Sequence, residues 1–308
     1  MLRLRVGHYL VYLVVRLLVC IVQGVRIETG QVVAGYLAWC FADLLRIRGK
    51  VVEENLRHAF PGATEAQRRR LVRRMWEHLF LLVVEVAHAP RKIHETNWRR
   101  YVRLKDHRRL LQLLLDDRPS LLVTGHFGNF EVAGVVLGIL GIPSFTVARK
   151  LDNPYLDRFL NRFRGMTGQY IIPKKGGYDR MLEVLAAHGT LTFLGDQAAG
   201  VKGCWVEFFD RPASAHKAIA LLALANDAPL MVTYARRLGR PLRFELGCNG
   251  IADPRDGGQE VGGVRNLTQW YTSRLEQFIR RDPDQYWWLH RRWKDSRSLR
   301  RRRQKRAA

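Results

Sequence analysis

The sequence predicts an α/β protein with a mostly parallel mixed sheet flanked by helices, preceded by a helical region and an apolar N-terminal helix. From about residue 100, short apolar runs alternate with helical stretches, which is typical of a parallel sheet covered by helices. Earlier in the chain, longer apolar and amphipathic stretches have helical length. We therefore divide the chain into an apolar helix (1–30), a helical region (31–100), an α/β domain (101–295) and a basic tail (296–308).

The first element, residues 9–25, reads YLVYLVVRLLVCIVQGV and contains a single charge, Arg16. Arg16 interrupts the apolar run that a signal peptide needs, and no small-x-small cleavage site follows. A spanning helix needs about 20 apolar residues, and a central Arg costs roughly 2.5–3.5 kcal/mol on insertion scales. A membrane anchor fits best, with Arg16 extended towards lipid headgroups, and it either spans or lies in the interface. A buried helix of a soluble protein is the alternative. If the anchor spans, the basic remainder of the chain lies on the cytoplasmic side.

The helical region contains two further elements. Residues 31–48 form a second apolar stretch, and Pro61-Gly62 marks a break after it. Thr64 and Gln67 have the spacing of a capping box, which predicts a helix that ends near Pro90. The side chains at its apolar spacing are Leu71, Met75, His78, Leu79 and Leu82. His78 is interpreted as a packed or half-exposed helix residue.

The α/β domain is predicted to contain six strands and five helices. Its strands are expected at 121–125, 143–148, 169–173, 190–195, 229–235 and 242–247. Its helices are expected at 131–140, 154–165, 177–188, 215–226 and 264–281. Because ligands of such sheets bind beyond the carboxyl ends of the strands, the functional residues should follow these strands.

The charge indicates an acidic partner. The formal net charge is +24, which suits nucleic acid, anionic lipid or an acidic protein. The sequence shows no helix-turn-helix, zinc-finger or RNP-type motif, and its apolar N-terminus favours a membrane surface over nucleic acid. The stretch from Lys294 onward, with RSLRRRRQKRAA, is either a solvated tail or a polybasic clamp on anionic lipid. Four widely spaced cysteines and the absence of HExxH indicate a reducing environment and no metal site or other cofactor.

One stretch stands out chemically: LLVTGHFGNFE, residues 121–131, brings a histidine and a carboxylate to a strand end. In a continuous helix, His126 and Glu131 would point about 140° apart. They can meet if His126 ends the strand and Glu131 begins the next helix, with Gly128-Asn129 forming the bend. A carboxylate beside an imidazole makes the histidine a better general base.

The segment GHFGNFE resembles the H-x4-D/E signature of glycerolipid acyltransferases, in the form found in the lipid A biosynthesis lauroyl/myristoyl acyltransferase family. Four more blocks resemble that family in the same order over roughly residues 50–295. They are ENLRHAFPGATEAQRRRL, ARKLDNPYLDRFLNRFR, FLGDQAAGVKGCWVEFFDRPAS and DPDQYWWLHRRWK. The resemblance implies an acyl-carrier-protein thioester as donor, a hydroxyl of a lipid A precursor as acceptor, and an inner-membrane enzyme facing the cytoplasm.

By this resemblance His126 is the catalytic base and Glu131 its partner, while Arg164 and Asp196 match two further functional positions. Arg149 matches the basic residue that opens the family's R-x-x-x-NP segment. The two arginines suit acidic headgroup oxygens. Backbone N–H groups of the Gly128-Asn129 turn and of the following helix start are candidates to stabilise the oxyanion, and the sequence alone does not choose among them. Asn129 is also predicted to be a substrate-binding residue. Direct attack by the acceptor hydroxyl requires no acyl-enzyme.

Structural interpretations of the same residues stay open. Arg164 fits a helix C-cap, and Asp196 fits a turn, an N-cap or a residue that orients an arginine. His290 is interpreted as structural. Trp287 and Trp288 are interpreted as packing residues or interfacial anchors.

The chain departs from the family pattern at Trp205, Glu207 and Asp210, which leaves the acyl chain length and the acceptor open. Competing functions are the same chemistry on another acceptor, such as a phosphatidylinositol mannoside, and a basic nucleic-acid-binding or membrane-binding scaffold without activity. The intact His126–Glu131 pair argues against a scaffold.

Overall fold

A computed structural model describes residues 2–293, with side chains from residue 5 onward. The helices are α1 (Leu2–Gly24), α2 (Ile27–Trp39), α3 (Gly49–Ala59), α4 (Glu65–Lys92), α5 (Arg108–Leu114), α6 (Phe130–Ile139), α7 (Pro154–Gly165), α8 (Tyr178–Ala186), α9 (Lys217–Ala225) and α10 (Val264–Arg281). The strands are β1 (Val102–Lys105), β2 (Ser120–Thr124), β3 (Ser144–Ala148), β4 (Gln169–Pro173), β5 (Thr190–Leu194), β6 (Cys204–Glu207), β7 (Pro212–Ala215), β8 (Leu230–Arg237) and β9 (Phe244–Ala252). The basic tail (296–308) lies outside the described residues.

The main sheet has seven strands in the order β1-β9-β8-β2-β5-β3-β4. Neighbouring strands run parallel except β8 and β9, which are antiparallel. All five residues of the central strand β2 are buried, which is typical of a strand covered by helices on both faces. The predicted α/β class with a mostly parallel mixed sheet is confirmed.

Most predicted elements of the α/β domain are present within a few residues of their expected ends. Helix α10 spans the predicted range 264–281, and the Thr64–Gln67 capping box forms and starts α4. The prediction missed β1 and α5, and it missed the two-stranded ribbon of β6 and β7. The second apolar stretch is α2 followed by a π-helical turn at Cys40–Leu44 rather than one helix.

Helix α1 lies along the folded body instead of projecting from it. The Asn153 side-chain amide donates to the His8 carbonyl near one end (2.8 Å), and the Gln23 amide donates to the Ala87 carbonyl at the other (2.8 Å). Between these ties, the Arg16 guanidinium lies over the Phe159 ring, 5.1 Å from its centroid. The structure therefore directs Arg16 onto α7, whereas the sequence suggested lipid headgroups.

By length and composition, the segment Arg5–Gly24 of α1 could cross a membrane. Its outward side chains and those of α2 make up an apolar surface. The larger exposed members are Leu10, Val14, Leu17, Leu18, Ile21, Val32, Val33 and Tyr36. Apolar surface of this extent is typical of a contact with membrane or protein.

Candidate active site

The loop that follows β2 carries His126 to the carboxyl end of the sheet. Strand β2 pairs in parallel with β5, and Thr124 lies opposite Leu194. The same offset places Gly125-His126 opposite Gly195-Asp196. Two strands that end side by side thus deliver an imidazole and a carboxylate to one point.

Asp196 is the hydrogen-bond partner of His126. The His126 Nδ1 lies 2.9 Å from Asp196 Oδ1, and the His126 backbone N–H donates to Oδ2 at 3.1 Å. Burial alone would raise the pKa of the Asp196 carboxyl, but the charge and hydrogen bonds of His126 outweigh it and hold this pKa well below its usual range. An ionised Asp196 favours the tautomer in which Nδ1 carries the proton and Nε2 is free to act as a base.

Glu131 lies on the first turn of α6, as predicted, but its partner is Arg164. Arg164 Nε donates to Glu131 Oε2 at 2.9 Å, and Arg164 Nη2 donates to Oε1. The predicted His126–Glu131 partnership is therefore corrected, because Asp196 occupies the place beside Nδ1. Two of the Arg164 donors bind this carboxylate on the neighbouring helix, and the binding of headgroup oxygens by Arg164 stays a prediction.

Gly128 and Asn129 form the bend, but their backbone amides are already engaged. Gly128 N–H donates to the Gln285 carbonyl at 2.9 Å, and Asn129 N–H donates to the Ala235 carbonyl at 2.8 Å. Asn129 is fully buried and caps α6 by accepting from Val132 N–H at 3.2 Å. These two amides are therefore not free to stabilise an oxyanion in this structure, and substrate binding by Asn129 stays a prediction.

Gly128 is required at this bend for two reasons. Its φ of +55° lies in the left-handed region that favours glycine. A Cβ atom at this position would also lie 1.8 Å from the Ala235 carbonyl oxygen. The close contact that holds the Asn129 amide thus excludes any side chain here.

The free nitrogen of His126 faces a small polar and aromatic group. The Gln197 amide nitrogen lies 3.3 Å from His126 Nε2 and 3.1 Å from His290 Nε2. The Trp287 ring centroid lies 5.1 Å from that of His126. Burial, followed by the nearby His126, lowers the pKa of His290, so its imidazole is favoured in the neutral form.

Arg149 stands apart from His126, at the carboxyl end of β3. Its guanidinium is exposed and pairs with the exposed Asp152 at 2.5 and 2.6 Å. Exposed pairs of this kind contribute little to stability and exchange partners readily. Other exposed lysines follow neighbouring strands or begin α9, so the end of the sheet that carries His126 has a basic rim: Arg149, Lys150, Lys174, Lys175 and Lys217.

An apolar cavity of about 70 Å³ lies between α5, α6 and the sheet. Phe130, one of its lining residues, also packs edge-on against His126 with ring centroids 5.4 Å apart. Its other apolar walls are Leu104, Leu110, Leu111, Leu114, Leu122, Ala133, Leu137, Leu140 and Leu246. The cavity therefore begins one side chain away from His126.

The sequence interpretation missed the roles of Gln197 and His290 at this site. Gln197 directly follows Asp196, so a strand-end motif of two polar residues was available as a signal. His290 was interpreted as structural, yet its ring centroid is 5.0 Å from that of His126. Only the fold brings these residues together, because His290 is far along the chain and belongs to no predicted strand.

Comparisons with known proteins identify the family of the chain. The family model described as bacterial lipid A biosynthesis acyltransferase matches residues 2–295. The chain belongs to this family, and it is an acyltransferase of lipid A biosynthesis.

The chain is similar to the Escherichia coli (strain K12) lipid A biosynthesis lauroyltransferase, with 25% identity over 256 residues, which are 81% of this chain and 80% of the relative. It is also similar to the lipid A biosynthesis palmitoleoyltransferase of the same organism, with 24% identity over 259 residues and the same two shares. Among solved structures, the 1-acyl-sn-glycerophosphate acyltransferase of Thermotoga maritima matches at a TM-score of 0.41 and 12% identity, over 89% of this chain and all of that one.

Proposed function

We propose that the protein transfers a fatty acyl chain from an acyl-carrier-protein thioester to a hydroxyl of a lipid A precursor, with His126 as the general base. The observation that carries this proposal is the His126–Asp196 hydrogen bond, which favours the tautomer with Nε2 as the acceptor, one side chain away from an apolar cavity. A base of this kind contributes about 10²–10⁴-fold to a reaction in which a hydroxyl attacks.

The chemistry follows from that arrangement. His126 Nε2 accepts the proton of the acceptor hydroxyl while the hydroxyl oxygen bonds to the thioester carbonyl carbon. The tetrahedral intermediate then collapses with cleavage of the carbon–sulfur bond, and the proton on Nε2 passes to the leaving thiolate. Asp196 stabilises the imidazolium that exists between these two transfers.

The developing oxyanion needs hydrogen-bond donors other than the Gly128 and Asn129 amides. The first-turn N–H groups of a helix have no intrahelical acceptor, so those of Phe130 and Glu131 are suited to this role. The Gln197 side-chain amide already lies within hydrogen-bond distance of His126 Nε2 and His290 Nε2, so the acceptor hydroxyl has to displace it from the base. Glu131 and Arg164 then serve by fixing the first turn of α6.

The apolar cavity is assigned to the acyl chain. It is narrow, so an acyl chain of ordinary length has to displace leucine side chains or extend beyond it. Substituting Ala133→Phe fills the cavity from α6, and we expect it to shift the preference towards shorter donors. Donor competition assays across a series of chain lengths measure this, with Ala133→Val as a milder control. An unchanged preference would remove the cavity from the mechanism.

The basic rim supports the proposal that the donor is an acidic carrier protein. Arg149 and the lysines at this end of the sheet would attract an acidic donor, and such attraction weakens with salt. We expect kcat/KM for an acyl-carrier-protein donor to fall more steeply with ionic strength than for an acyl-coenzyme A donor. Arg149→Glu should flatten that dependence. An equal salt dependence for both donors would argue against the carrier protein.

The membrane assignment rests on α1 and α2. Because α1 is tied to the body near both of its ends, we assign it to the membrane interface, with its apolar side in lipid. We assign the body to the cytoplasmic face of the inner membrane. Removal of residues 1–25 should release much of the protein from membranes. Unchanged partitioning at high salt would contradict this assignment.

The decisive experiment is acyl transfer by the purified protein. Wild type with acyl-carrier-protein thioester and a lipid A precursor should add one acyl group by mass spectrometry, and His126→Ala should lose this activity while remaining folded. A His126→Ala variant with wild-type turnover would overturn the proposed function.

A further inference from the structure

A buried ion pair lies behind the catalytic loop, outside the site described above. Glu85 on α4 is fully buried, and Arg237 at the end of β8 donates to it twice, from Nε at 2.7 Å and from Nη2 at 2.6 Å. Glu85 also accepts from the Leu242 backbone N–H at 3.1 Å. Such two-point pairs fix the relative position of the elements that carry them.

The third nitrogen of Arg237 extends the network to the loop. Arg237 Nη1 lies 2.6 Å from His78 Nδ1, and since a guanidinium only donates, this nitrogen accepts. His78 Nε2 therefore carries the proton and donates to the Gly128 carbonyl at 3.2 Å. Burial, followed by the adjacent Arg237, lowers the pKa of His78 well below its ordinary value, in agreement with this neutral tautomer.

The network holds the loop through both Gly128 and Asn129. The Asn129 side-chain amide donates to Glu85 at 3.0 Å, while Gln285 exchanges two hydrogen bonds with the Arg237 backbone, at 2.8 and 3.0 Å. Gln285 also accepts from Gly128 N–H. The bend two residues after His126 is thus fixed from α4, from β8 and from the segment that carries Gln285.

We propose that the Glu85–Arg237 pair, acting through His78 and Asn129, is a positioning device that holds His126 in register with Asp196. This inference rests on the proposed function. A buried ion pair is weak evidence for stability, because replacing both members by apolar residues is often neutral or stabilising. Because this pair lies beside the loop of His126, the orientation that it imposes on the loop is the better explanation of its role.

The chain offers a matched control at the other end of the sheet. Arg118, just before β2, donates to Asp253 at 2.8 and 2.9 Å, and both side chains are buried. This pair is similarly buried and also has two hydrogen bonds, but it donates from Nη1 and Nη2 and makes no hydrogen bond to the loop that carries His126. Loss of either pair removes a buried two-point ion pair, so the comparison separates that loss from the effect on the loop.

The test compares Glu85→Leu/Arg237→Met with Arg118→Met/Asp253→Leu in the full-length protein. We expect the first double variant to fold, to lose kcat on the order of 10²-fold and to keep the donor KM within about threefold, since a shift of about 1 Å at a reacting group has this cost. The control should keep kcat within about twofold. Equal losses of kcat in both, or wild-type kcat in the first, would overturn the proposal.

A second measurement does not depend on turnover. Hydrogen exchange of peptides covering residues 121–131 should accelerate in the Glu85→Leu/Arg237→Met variant and stay unchanged in the control. If wild type lacks acyl transfer, the proposed function fails while this arm still reports on the loop, and unchanged exchange overturns the positioning role.

Milder variants cover the case in which the double variant fails to fold. His78→Gln keeps an acceptor for Arg237 and a donor for Gly128, whereas His78→Leu keeps neither. We expect His78→Gln to retain most of the wild-type kcat and His78→Leu to lose at least about tenfold more, as is usual when positioning is loosened. The same kcat in both variants would count against the proposal.

Discussion

Two buried arginine–carboxylate pairs lie at opposite ends of the parallel strands, and they differ in what surrounds them. At the amino end of β2, Arg118 donates to Asp253 and to the Asp227 carbonyl. At the carboxyl end, Arg237 and Glu85 belong to a wider network with His78, Asn129 and Gln285. One two-point ion pair therefore makes few further contacts, whereas the other belongs to the network that holds the loop of His126.

Carboxylates of similar burial differ in role because their hydrogen-bond partners differ. Asp196 accepts from an imidazole, Glu131 from an arginine on the next helix, and Asp253 from an arginine remote from the site. We assign them to the base, to the first turn of α6 and to structure, respectively. Substitutions that remove only charge can separate these assignments.

The largest effect is expected for Asp196→Asn. Asparagine keeps the shape but presents an amide to His126 and loses the charge that stabilises the imidazolium. We expect kcat to fall on the order of 10³–10⁴-fold with an unchanged circular dichroism spectrum, as for the buried aspartate of a serine protease triad. Steady-state kinetics measure the change, and a loss smaller than tenfold would remove Asp196 from the role of partner.

The next effect is expected in stability rather than in rate. Asp253→Asn leaves Arg118 buried with a weaker partner, and breaking such a pair typically costs about 3–5 kcal/mol. Urea unfolding should show this loss, while kcat of the folded protein stays within about twofold of wild type. A large loss of kcat would mean that the two ends of the sheet are coupled.

A smaller loss of rate is expected for Glu131→Gln. Glutamine still accepts a hydrogen bond from Arg164, so the first turn of α6 is loosened without being released. We expect kcat to fall by about 10–10²-fold, less than for Asp196→Asn. If Glu131→Gln were the more damaging of the two, the original interpretation of Glu131 as the partner of His126 would be restored.

The smallest effect is expected in the pH dependence of stability, which should differ between the end of the sheet near His78 and the end near Asp253. His78 has a folded-state pKa well below its ordinary 6.5, so the unfolded chain binds the proton first and stability falls as pH drops below about 6.5. The groups that face His78 are Arg237 and, through it, Glu85.

Asp253 also contributes less stability as pH falls, but in a lower pH range. Burial alone would raise the pKa of its carboxyl, but the hydrogen bond from Arg118 prevails and lowers it, so the stability it contributes is present above pH 3.8 and lost below it. At pH 5, protection of backbone amides from hydrogen exchange should therefore fall near His78 before it falls near Asp253. His78→Gln should reduce the pH dependence of unfolding by up to about 1.4 kcal/mol per pH unit. Equal loosening at both ends would contradict this account.

Much of the fold was predictable because its signals are local. Apolar runs predicted the strands from β2 to β5, and the Thr64–Gln67 box predicted the start of α4. The short strand β1 and the ribbon of β6 and β7 lack a comparable apolar pattern, and they were missed.

The pairing of charges was not predictable in the same way. His126 and Asp196 each follow a Gly at a strand end, but their contact depends on β2 lying next to β5, which periodicity does not reveal. Glu131 is near His126 in the sequence, so the local pattern predicts Glu131 as the partner. Glu85 and Arg237 are 152 residues apart, and no local pattern connects them.

The central claim, that Asp196 rather than Glu131 holds the base, is tested most directly by nuclear magnetic resonance of ¹⁵N-labelled histidines. The His126 signal is identified by its absence in His126→Ala. We predict a protonated, hydrogen-bonded Nδ1 in wild type and in Glu131→Gln, and loss of that hydrogen-bonded proton in Asp196→Asn. A proton that persists in Asp196→Asn and disappears in Glu131→Gln would contradict the account.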